Sequence, residues 1–343
     1  MRVRYSEREY LCDYDLSLEF FDAIGIKVND IIPLRKVFIL STDDGNKILK
    51  KVNYDVERIV FISDSLEYLK KSYKNVIGYN KLKNNLNYVK WKNDIYIVMD
   101  ILDGREASFS NPIEIELCSE NVALMHNASE GLLTYLNNKY NEDFLNESFK
   151  IKLNKIEEEI NYMKSIALKY KYANEFDKLF LDNVDKYIED INYVKSALDK
   201  SAYDSLRSDL KNITICHNDL AYHNFLINNT DVSIIDFDYM TLDLRVFDIA
   251  DFLLKSIKSS AFDENKMMLV FNSYEKVSSL TKEEKELIFI LLQFPKDFYS
   301  ITRDYYFKRK KWSYDVYLNR FYNKLNNEQF RKELLNKYKE SII

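Results

Sequence analysis

The sequence predicts an α+β protein, with a β-rich N-terminal part followed by a longer, mainly helical part. Apolar, β-branched runs bounded by polar turns concentrate in the first hundred residues, at 33–41, 47–52 and 95–101. Beyond them, apolar residues mostly recur at the spacing of a helix, apart from a β-type stretch at 213–238. We therefore expect the domain boundary near residue 101.

Residues 1–101 are predicted to form the small, β-rich domain. The first two apolar runs are typical of a hairpin, because the polar turn Asp43-Asp44-Gly45-Asn46 separates them. Residues 54–68 carry apolar side chains at helical spacing behind Asp55, a residue type that favours helix N-termini. The small domain is thus expected to combine strands with one helix pair.

Residues 102–343 are predicted to be mostly helical. A helix is expected over 113–126, and two apolar stripes within 149–200 indicate an inserted antiparallel helical pair. The stripes comprise Ile156, Ile160, Met163 and Ala167, and then Phe180, Val184, Tyr187, Ile191, Val194 and Leu198. Further helices are expected at 246–256, 267–277, 282–292 and 314–341.

The most informative residues lie within the β-type stretch 213–238. His217-x-Asp219 is followed by four residues, Asn224, a polar turn and a short run that ends at Asp236-Phe237. Phosphoryl transfer requires a carboxylate beside the attacking hydroxyl and oxygen ligands that hold Mg²⁺ against the nucleotide phosphates. Asp219 is placed for the first role, and Asn224 and Asp236 for the second. The alternative is a polar loop between two strands that carries these residues by chance.

A lysine of the N-terminal part is a candidate for binding the nucleotide phosphates. Lys50 follows Ile48-Leu49 in the manner of the strand lysine of phosphoryl-transfer enzymes. Lys51 is the adjacent candidate and would point to the opposite face of the strand. Glu57 and Glu67 are two possible partners of Lys50, and Glu57 is favoured because the first turn of its helix faces the sheet. Exposed surface residues are the alternative for all of them.

Two further segments bear on nucleotide binding. The run 95–101 is broken by Leu102-Asp103-Gly104, so the backbone around Met99 and Ile101 is a candidate for binding an adenine edge. No glycine lies between Val28 and Asp44, where a glycine-rich phosphate loop is expected. Arg35 and Lys36 occupy that place and could bind phosphate by charge. Weak or absent nucleotide binding is the alternative.

Composition excludes several classes of protein. The formal net charge of −5 argues against nucleic acid as a partner, since nucleic-acid-binding domains carry basic patches. Three widely spaced cysteines imply neither a disulfide framework nor a zinc site, so a reducing compartment is expected. No membrane partner is expected either. No apolar run approaches transmembrane length, and the first residues lack an apolar signal core.

With its motifs in this order, the chain resembles the CotS family of bacterial spore coat proteins, a branch of the aminoglycoside phosphotransferase and choline kinase-like group. The resemblance covers about residues 15–330. Besides the motif at 217–238 it rests on these segments: Asp103-Gly104-Arg105-Glu106, Phe109-Ser110-Asn111-Pro112, His126-Asn127-Ala128-Ser129, Asp243-Leu244-Arg245-Val246-Phe247-Asp248 and Phe294-Pro295-Lys296-Asp297-Phe298.

The resemblance implies a protein kinase-like two-lobed fold of the aminoglycoside phosphotransferase type, with a small β-rich N-lobe and a large helical C-lobe. It implies ATP and Mg²⁺ as cofactors and Asn224 and Asp236 as the metal ligands. Asp219 would be the catalytic base, with His217 bracing its loop by hydrogen bonds. Lys50 would bind the nucleotide phosphates.

Two classes of function remain open at this point. One is a phosphotransferase that acts on a hydroxyl of a small molecule, such as a sugar or a cationic compound. The other is a structural spore coat protein that retains the fold without the chemistry. Other spore coat proteins are the expected partners, with synthesis in the mother-cell cytoplasm and assembly into the coat. Asp238 and Asp243 predict an acidic acceptor pocket beside the helical pair, and Asp248 would fix the catalytic loop from the following helix.

Overall fold

The computed structural model describes residues 12–258 and 263–343, and the chain is α+β as predicted. It forms two compact units. The first contains the chain up to Ala107 together with His223–Met240, and the second contains Ser108–Tyr222 together with Thr241–Ile343. Residues 213–238 were predicted to lie in a single domain, whereas this division separates them after Tyr222. No helix in the described ranges is long and apolar enough to cross a membrane.

The described residues form the following elements. The strands are β1 Val28–Leu34, β2 Val37–Thr42, β3 Gly45–Val52, β4 Val89–Trp91, β5 Asp94–Asp100, β6 Arg105–Glu106, β7 Ile213–Cys216, β8 Phe225–Asn228, β9 Asp231–Ile234 and β10 Thr241–Leu244. The α-helices are α1 Leu18–Ile24, α2 Val56–Leu69, α3 Pro112–Ala128, α4 Leu132–Tyr140, α5 Phe149–Lys169, α6 Glu175–Lys200, α7 Tyr203–Ser208, α8 Val246–Ile257, α9 Glu264–Glu275, α10 Lys282–Gln293, α11 Lys296–Tyr306, α12 Tyr314–Asn326 and α13 Glu328–Ser341.

The first unit is built on an antiparallel sheet in the order β1-β2-β3-β5-β4. The hairpin predicted around residues 43–46 is confirmed, since β2 and β3 pair across it. The single run predicted over 33–41 is wrong, because β1 and β2 turn back on each other at Arg35 and Lys36. Arg35 takes a positive φ of 54° there, which suits a two-residue hairpin turn but is uncommon outside glycine, asparagine and aspartate. The turn therefore has no sequence signal.

The two faces of β3 separate the neighbouring lysines. Leu49 is fully buried in a core with Tyr96 of β5, beneath α1. Lys51 shares that face, and its Nζ lies 3.0 Å from a carboxylate oxygen of Asp94. Because side chains alternate along a strand, Lys50 projects from the opposite face. Of the two candidate lysines, only Lys50 points away from this core.

A second, three-stranded sheet in the order β6-β8-β9 also belongs to the first unit. The predicted hairpin exists, with β8 and β9 antiparallel around the turn at Asn229. It groups with the first unit because β8 pairs with β6 and Ile234 forms a bridge with Val76. Gly104 precedes β6 with a φ of 148°, and an added Cβ would lie 3.1 Å from the Ile227 carbonyl oxygen. The backbone can approach this closely only because residue 104 is glycine.

The second unit is mainly helical, with β7 and β10 paired antiparallel. The predicted helical pair is confirmed as α5 and α6, which are joined by residues 170–174. The expected stripe on α6 is buried along its whole length. Asn174 caps α6, since its side chain accepts the Asp177 N–H while the Asp177 carboxylate accepts the Asn174 N–H.

Several helices of the second unit differ from the expected set. The segment 314–341 is two helices, α12 and α13, which meet at Asn327. The short helices α4, α7 and α11 were not predicted. The last of these begins immediately after Pro295, where proline suits a helix start, and its Phe298 ring stacks on Tyr187 at 3.9 Å between centroids.

A buried histidine joins three helices of this unit. His126 on α3 is 1% exposed, and its Nδ1 lies 2.8 Å from the hydroxyl of Tyr274 on α9. Its Nε2 lies 3.3 Å from a carboxylate oxygen of Asp248 on α8. Burial lowers the pKa of His126 below its usual 6.5, and the Asp248 carboxylate offsets this only in part. The imidazole is therefore neutral in the folded protein at pH 7.

We expect this histidine to make the folded protein less stable in mild acid. The unfolded state takes up a proton at about pH 6.5, before the folded state does, so stability is full above that pH and falls as pH decreases. The contribution has an upper limit of about 1.4 kcal/mol per pH unit. Urea unfolding at pH 7, 6 and 5 should show a steeper loss for the native protein than for His126→Gln. Parallel losses in the two proteins would contradict this role.

Candidate active site

The loop after β7 is held from within the second unit by one buried carboxylate. Asp248 on α8 is fully buried and accepts the backbone N–H of His217 at 2.5 Å and of Asn218 at 2.8 Å. Asn218 has a φ of 64°, a conformation that asparagine tolerates better than most residues. Its side-chain amide donates to the Thr241 hydroxyl at 2.9 Å. The loop-fixing role predicted for Asp248 is confirmed by these contacts.

His217 supports the residue two positions after it. The imidazole is fully buried, and its Nδ1 accepts the backbone N–H of Asp219 at 3.2 Å. The Asp219 side chain remains about one-third exposed. A buried ring thus holds the backbone of a carboxylate that solvent can reach. This geometry suits the bracing role expected of His217, and the catalytic role of Asp219 stays a prediction.

A lysine that the sequence analysis missed contacts Asp219. Lys255 on α8 places its Nζ 2.7 Å from one carboxylate oxygen of Asp219 and 2.7 Å from one of Asp251. Burial alone would lower the pKa of Lys255, but the two carboxylates raise it, so the ammonium stays charged. A helical pattern could have identified it. Asp248, Asp251 and Lys255 follow one another at spacings of three and four residues, which puts them on one face of α8.

In the first unit, Lys50 lies between two carboxylates. Its Nζ is 2.8 Å from Asp236 and 2.7 Å from Asp238. Burial opposes the charge of Lys50, yet these two carboxylates raise its pKa. Asp236 has a φ of 69°, so the chain turns sharply just beyond β9. Tyr54 donates to Asp238 at 3.1 Å, and burial raises the pKa of this phenol, which therefore remains protonated.

The predicted partner of Lys50 on α2 was wrong. Glu57 is exposed, and Glu67 pairs with Lys70 at 2.9 Å. Arg58 is the residue of the first turn that faces the segment after β9, where it donates to the Asp238 carbonyl oxygen at 2.9 Å. Adjacent helical residues point about 100° apart, so Glu57 is directed elsewhere. Its assignment to nucleotide binding stays a prediction.

Asn224 and Asp236 are both in the first unit, and their backbones are close. The N–H of Ile235, next to Asp236, donates to the Asn224 carbonyl oxygen at 3.0 Å. Asn224 is 2% exposed, whereas the Asp236 carboxylate is accessible. An amide oxygen and a carboxylate are suitable ligands for Mg²⁺, which keeps several waters or phosphate oxygens in its shell. In residues 12–258 and 263–343, no group of three or more His, Cys, Asp or Glu side chains could hold a metal ion.

The remaining candidates for nucleotide binding also lie in the first unit. Arg35, at the turn between β1 and β2, forms an ion pair with Glu106 of β6. Met99 pairs with Ile48 within the sheet, and Ile101 follows the end of β5. The neighbouring Val98 carbonyl accepts the N–H of Asn80 at 2.7 Å. The roles of Arg35, Met99 and Ile101 in nucleotide binding stay predictions.

Two solved structures that share this fold are an aminoglycoside phosphotransferase and an amicoumacin kinase. An aminoglycoside phosphotransferase from Alicyclobacillus acidocaldarius superposes with a TM-score of 0.77 at 16% identity, over 99% of this chain and 97% of that one. The amicoumacin kinase, solved in complex with AMP-PNP, Ca²⁺ and Ami, gives a TM-score of 0.61 at 14% identity, over 96% of each chain. The predicted protein kinase-like fold of the aminoglycoside phosphotransferase type is confirmed.

Sequence comparison identifies the family. The chain is 26% identical over 313 residues to spore coat protein S of Bacillus subtilis, covering 89% of this chain and 87% of that protein. Residues 20–338 match the family model described as "Spore coat putative kinase YutH". Since the match takes in nearly all of both units, the chain belongs to this family of kinase-like spore coat proteins.

Proposed function

We propose that this protein is an ATP- and Mg²⁺-dependent phosphotransferase of the spore coat, acting on a hydroxyl of a small molecule. In the reaction, the acceptor oxygen forms a bond to the γ-phosphorus of ATP while the bond from that phosphorus to the bridging oxygen breaks. ADP leaves, and the hydroxyl proton passes to the carboxylate of Asp219. The products are ADP and a phosphate ester.

The observation that carries this proposal is the fixed position of Asp219. Its loop is held by the Asp248 carboxylate, its own N–H is bonded to the buried His217 ring, and its side chain stays accessible. A carboxylate with a supported backbone and an open side chain suits a general base, which must be within hydrogen-bond reach of the proton that it accepts. The ammonium of Lys255 lies 2.7 Å from one of its oxygens and helps to hold the carboxylate in place.

Residues of the first unit would hold the nucleotide. Asn224 and Asp236 would bind Mg²⁺, which neutralises phosphate charge when bound. Lys50 would donate to phosphate oxygens, and its raised pKa keeps it protonated at any physiological pH. Arg35 and the backbone at Met99 and Ile101 would complete the nucleotide contacts. The AMP-PNP and Ca²⁺ of the amicoumacin kinase support a nucleotide with a divalent cation in this fold.

The family also supports a location and partners. A relative named as a spore coat protein is consistent with synthesis in the mother cell and assembly into the coat among other coat proteins. Immunodetection in purified spore coats, compared with the mother-cell cytoplasm, tests that assignment directly.

A structural role without catalysis is the second candidate. It is favoured by the turn between β1 and β2, where Arg35 and Lys36 stand in place of glycines and Arg35 is paired with Glu106. A glycine loop would let backbone N–H groups close on the phosphates, and this turn offers no such flexibility. Absence of any melting shift with ATP and Mg²⁺, in a folded protein, would decide for the structural role.

Replacement of Asp236 by asparagine should remove the effect of Mg²⁺ on ATP binding. A ligand at 100 times its dissociation constant stabilises the folded state by about 2.7 kcal/mol. The part of the ATP-induced melting shift that depends on Mg²⁺ should therefore disappear in Asp236→Asn. Asp231→Asn, in the same hairpin but at the exposed start of β9, is the control and should keep the full shift. A full Mg²⁺-dependent shift in Asp236→Asn would remove Asp236 from the metal site.

Replacement of Asp219 by asparagine should abolish turnover while ATP affinity stays nearly unchanged. Loss of a general base costs about 10²- to 10⁴-fold in rate, and the nucleotide contacts are assigned to other residues. Isothermal titration with AMP-PNP and Mg²⁺ measures affinity, and release of ADP in the presence of acceptor measures turnover. Asp231→Asn again serves as the control. Equal losses of affinity and turnover would instead make Asp219 a metal ligand or a structural group.

A further inference from the structure

The second unit contains a cavity of about 150 Å³ that the proposed chemistry does not yet use. It lies among α8, the segment Phe294–Phe298, α12 and the start of α13. A cavity of this volume holds a molecule about the size of one six-membered ring. The segment Phe294–Phe298 is one of those on which the family resemblance rested. Its function is otherwise unassigned.

The cavity carries more cationic than anionic side chains. Its lining includes five cationic residues, Lys255, Lys258, Lys296, Lys324 and Arg331. Three carboxylates line it as well, Asp251, Asp297 and Glu328, and two others pair with its cations, Asp219 with Lys255 at 2.7 Å and Asp190 with Arg331 at 4.0 Å. The chain as a whole has a net charge of −5. The excess of positive charge is therefore confined to Lys258 and Lys324, which share the single carboxylate of Asp297.

Each of two aspartates in the lining is shared by two lysines. Asp297 pairs with Lys324 at 2.9 Å and also with Lys258. The pKa of Lys324 is nevertheless lowered, because burial and the neighbouring Lys258 together outweigh Asp297. Because one carboxylate faces two ammonium groups, these three side chains together carry one positive charge, and an anion in the cavity would offset it.

The second shared aspartate, Asp251, connects the cavity to Asp219 through Lys255. Asp251 pairs with Lys255 at 2.7 Å and with Lys296 at 2.5 Å. Lys255 lines the cavity and also bonds Asp219 at 2.7 Å. A ligand in the cavity is therefore one side chain away from the carboxylate assigned as the base. All of these residues belong to the second unit.

Aromatic rings form the apolar part of the lining. Tyr187 and Phe298 stack with their centroids 3.9 Å apart, and Phe321 lies 5.7 Å from Phe298. Flat apolar walls with a few charged groups are typical of small-molecule sites. These three rings are at most 2% exposed and belong to the core, so the accessible polar contacts come from the lysines, which would bind an anionic substituent.

We infer that this cavity binds the anionic group of the acceptor, and that the acceptor is a polyol carrying a phosphate or a carboxylate, such as a sugar phosphate or a sugar acid. The inference rests on the proposed phosphotransferase function and specifies its substrate class. It differs from the cationic acceptor and acidic pocket that the sequence suggested. The charge of the lining, which comes from separate segments of the chain, is the reason for the difference.

Binding of small probes without nucleotide tests this inference separately from the enzyme activity. Isothermal titration at low salt would compare glucose 6-phosphate, gluconate and inorganic phosphate with glucose and glucosamine. The anionic probes should bind at least tenfold more tightly than the other two, and their affinity should fall as salt increases. Failure of every anionic probe to bind, or binding of glucose or glucosamine with equal affinity, would overturn the inference.

Single lysine variants locate the binding site. Lys324→Gln and Lys258→Gln should each weaken binding of the anionic probes at least tenfold, and Lys324→Arg should restore most of it. Each glutamine variant leaves Asp297 with one remaining lysine, and melting curves check that the fold is intact. Lys282→Gln on α10, which does not line the cavity, should bind as the native protein does. Unchanged binding in folded Lys324→Gln and Lys258→Gln would also overturn the inference.

The ATP experiments separate the two proposals. If anionic probes bind at these lysines but ATP with Mg²⁺ gives no melting shift, the cavity assignment stands and the phosphotransferase proposal fails. If ATP binds and turns over but the lysine variants leave the probes unaffected, the phosphotransferase stands and the anionic acceptor is wrong.

Discussion

The candidate site depends first on one buried carboxylate, that of Asp248. A charge with no exposed surface is costly to bury unless hydrogen-bond donors surround it. Here the donors are the backbone N–H groups of His217 and Asn218, with the His126 ring close by. The loop and the helix α8 therefore stabilise each other. If the loop moved, the Asp248 carboxylate would lose its hydrogen-bond donors, which is costly for a buried charge. These hydrogen bonds therefore fix the loop in the conformation in which the Asp219 side chain is exposed.

The first unit also contains a buried charge, that of Lys50, and there carboxylates stabilise it in place of backbone hydrogen-bond donors. Lys50 is largely buried, and burial would lower its pKa if Asp236 and Asp238 did not raise it. Tyr54 and Arg58 of the α2 region in turn hold Asp238 in place. The short segment after β9 is thus attached both to β3 and to the start of α2. Asp236 is the member of this network that remains most accessible, which suits a role toward a bound cation.

The sequence allowed the regular parts of the fold to be predicted, because their signals are local. The stripe on α6 and the hairpin of β8 and β9 are examples. The motif from His217 to Asp236 was also identifiable, because its residue types stand at fixed spacing. Pairings between distant segments were not predictable. Glu57 was preferred as the partner of Lys50 only because the first turn of α2 was expected to face the sheet. Arg58, the next residue, contacts the segment after β9, since adjacent helical residues point in different directions.

The distribution of charge also could not be predicted from the sequence, because it depends on which distant segments become neighbours. Composition reports a net negative chain, and acidic residues near the motif suggested an acidic pocket. That pocket stays a prediction, whereas the cavity beside α8 is lined by lysines from three separate segments, which become neighbours only in the folded second unit. Two of these lysines share Asp297, so the carboxylates in the wall organise the cations without cancelling them. Lys255 links the two sites, since its ammonium both pairs with Asp219 and lines the cavity. An acceptor bound in the cavity would therefore contact Lys255, the side chain that also contacts the assigned base, Asp219.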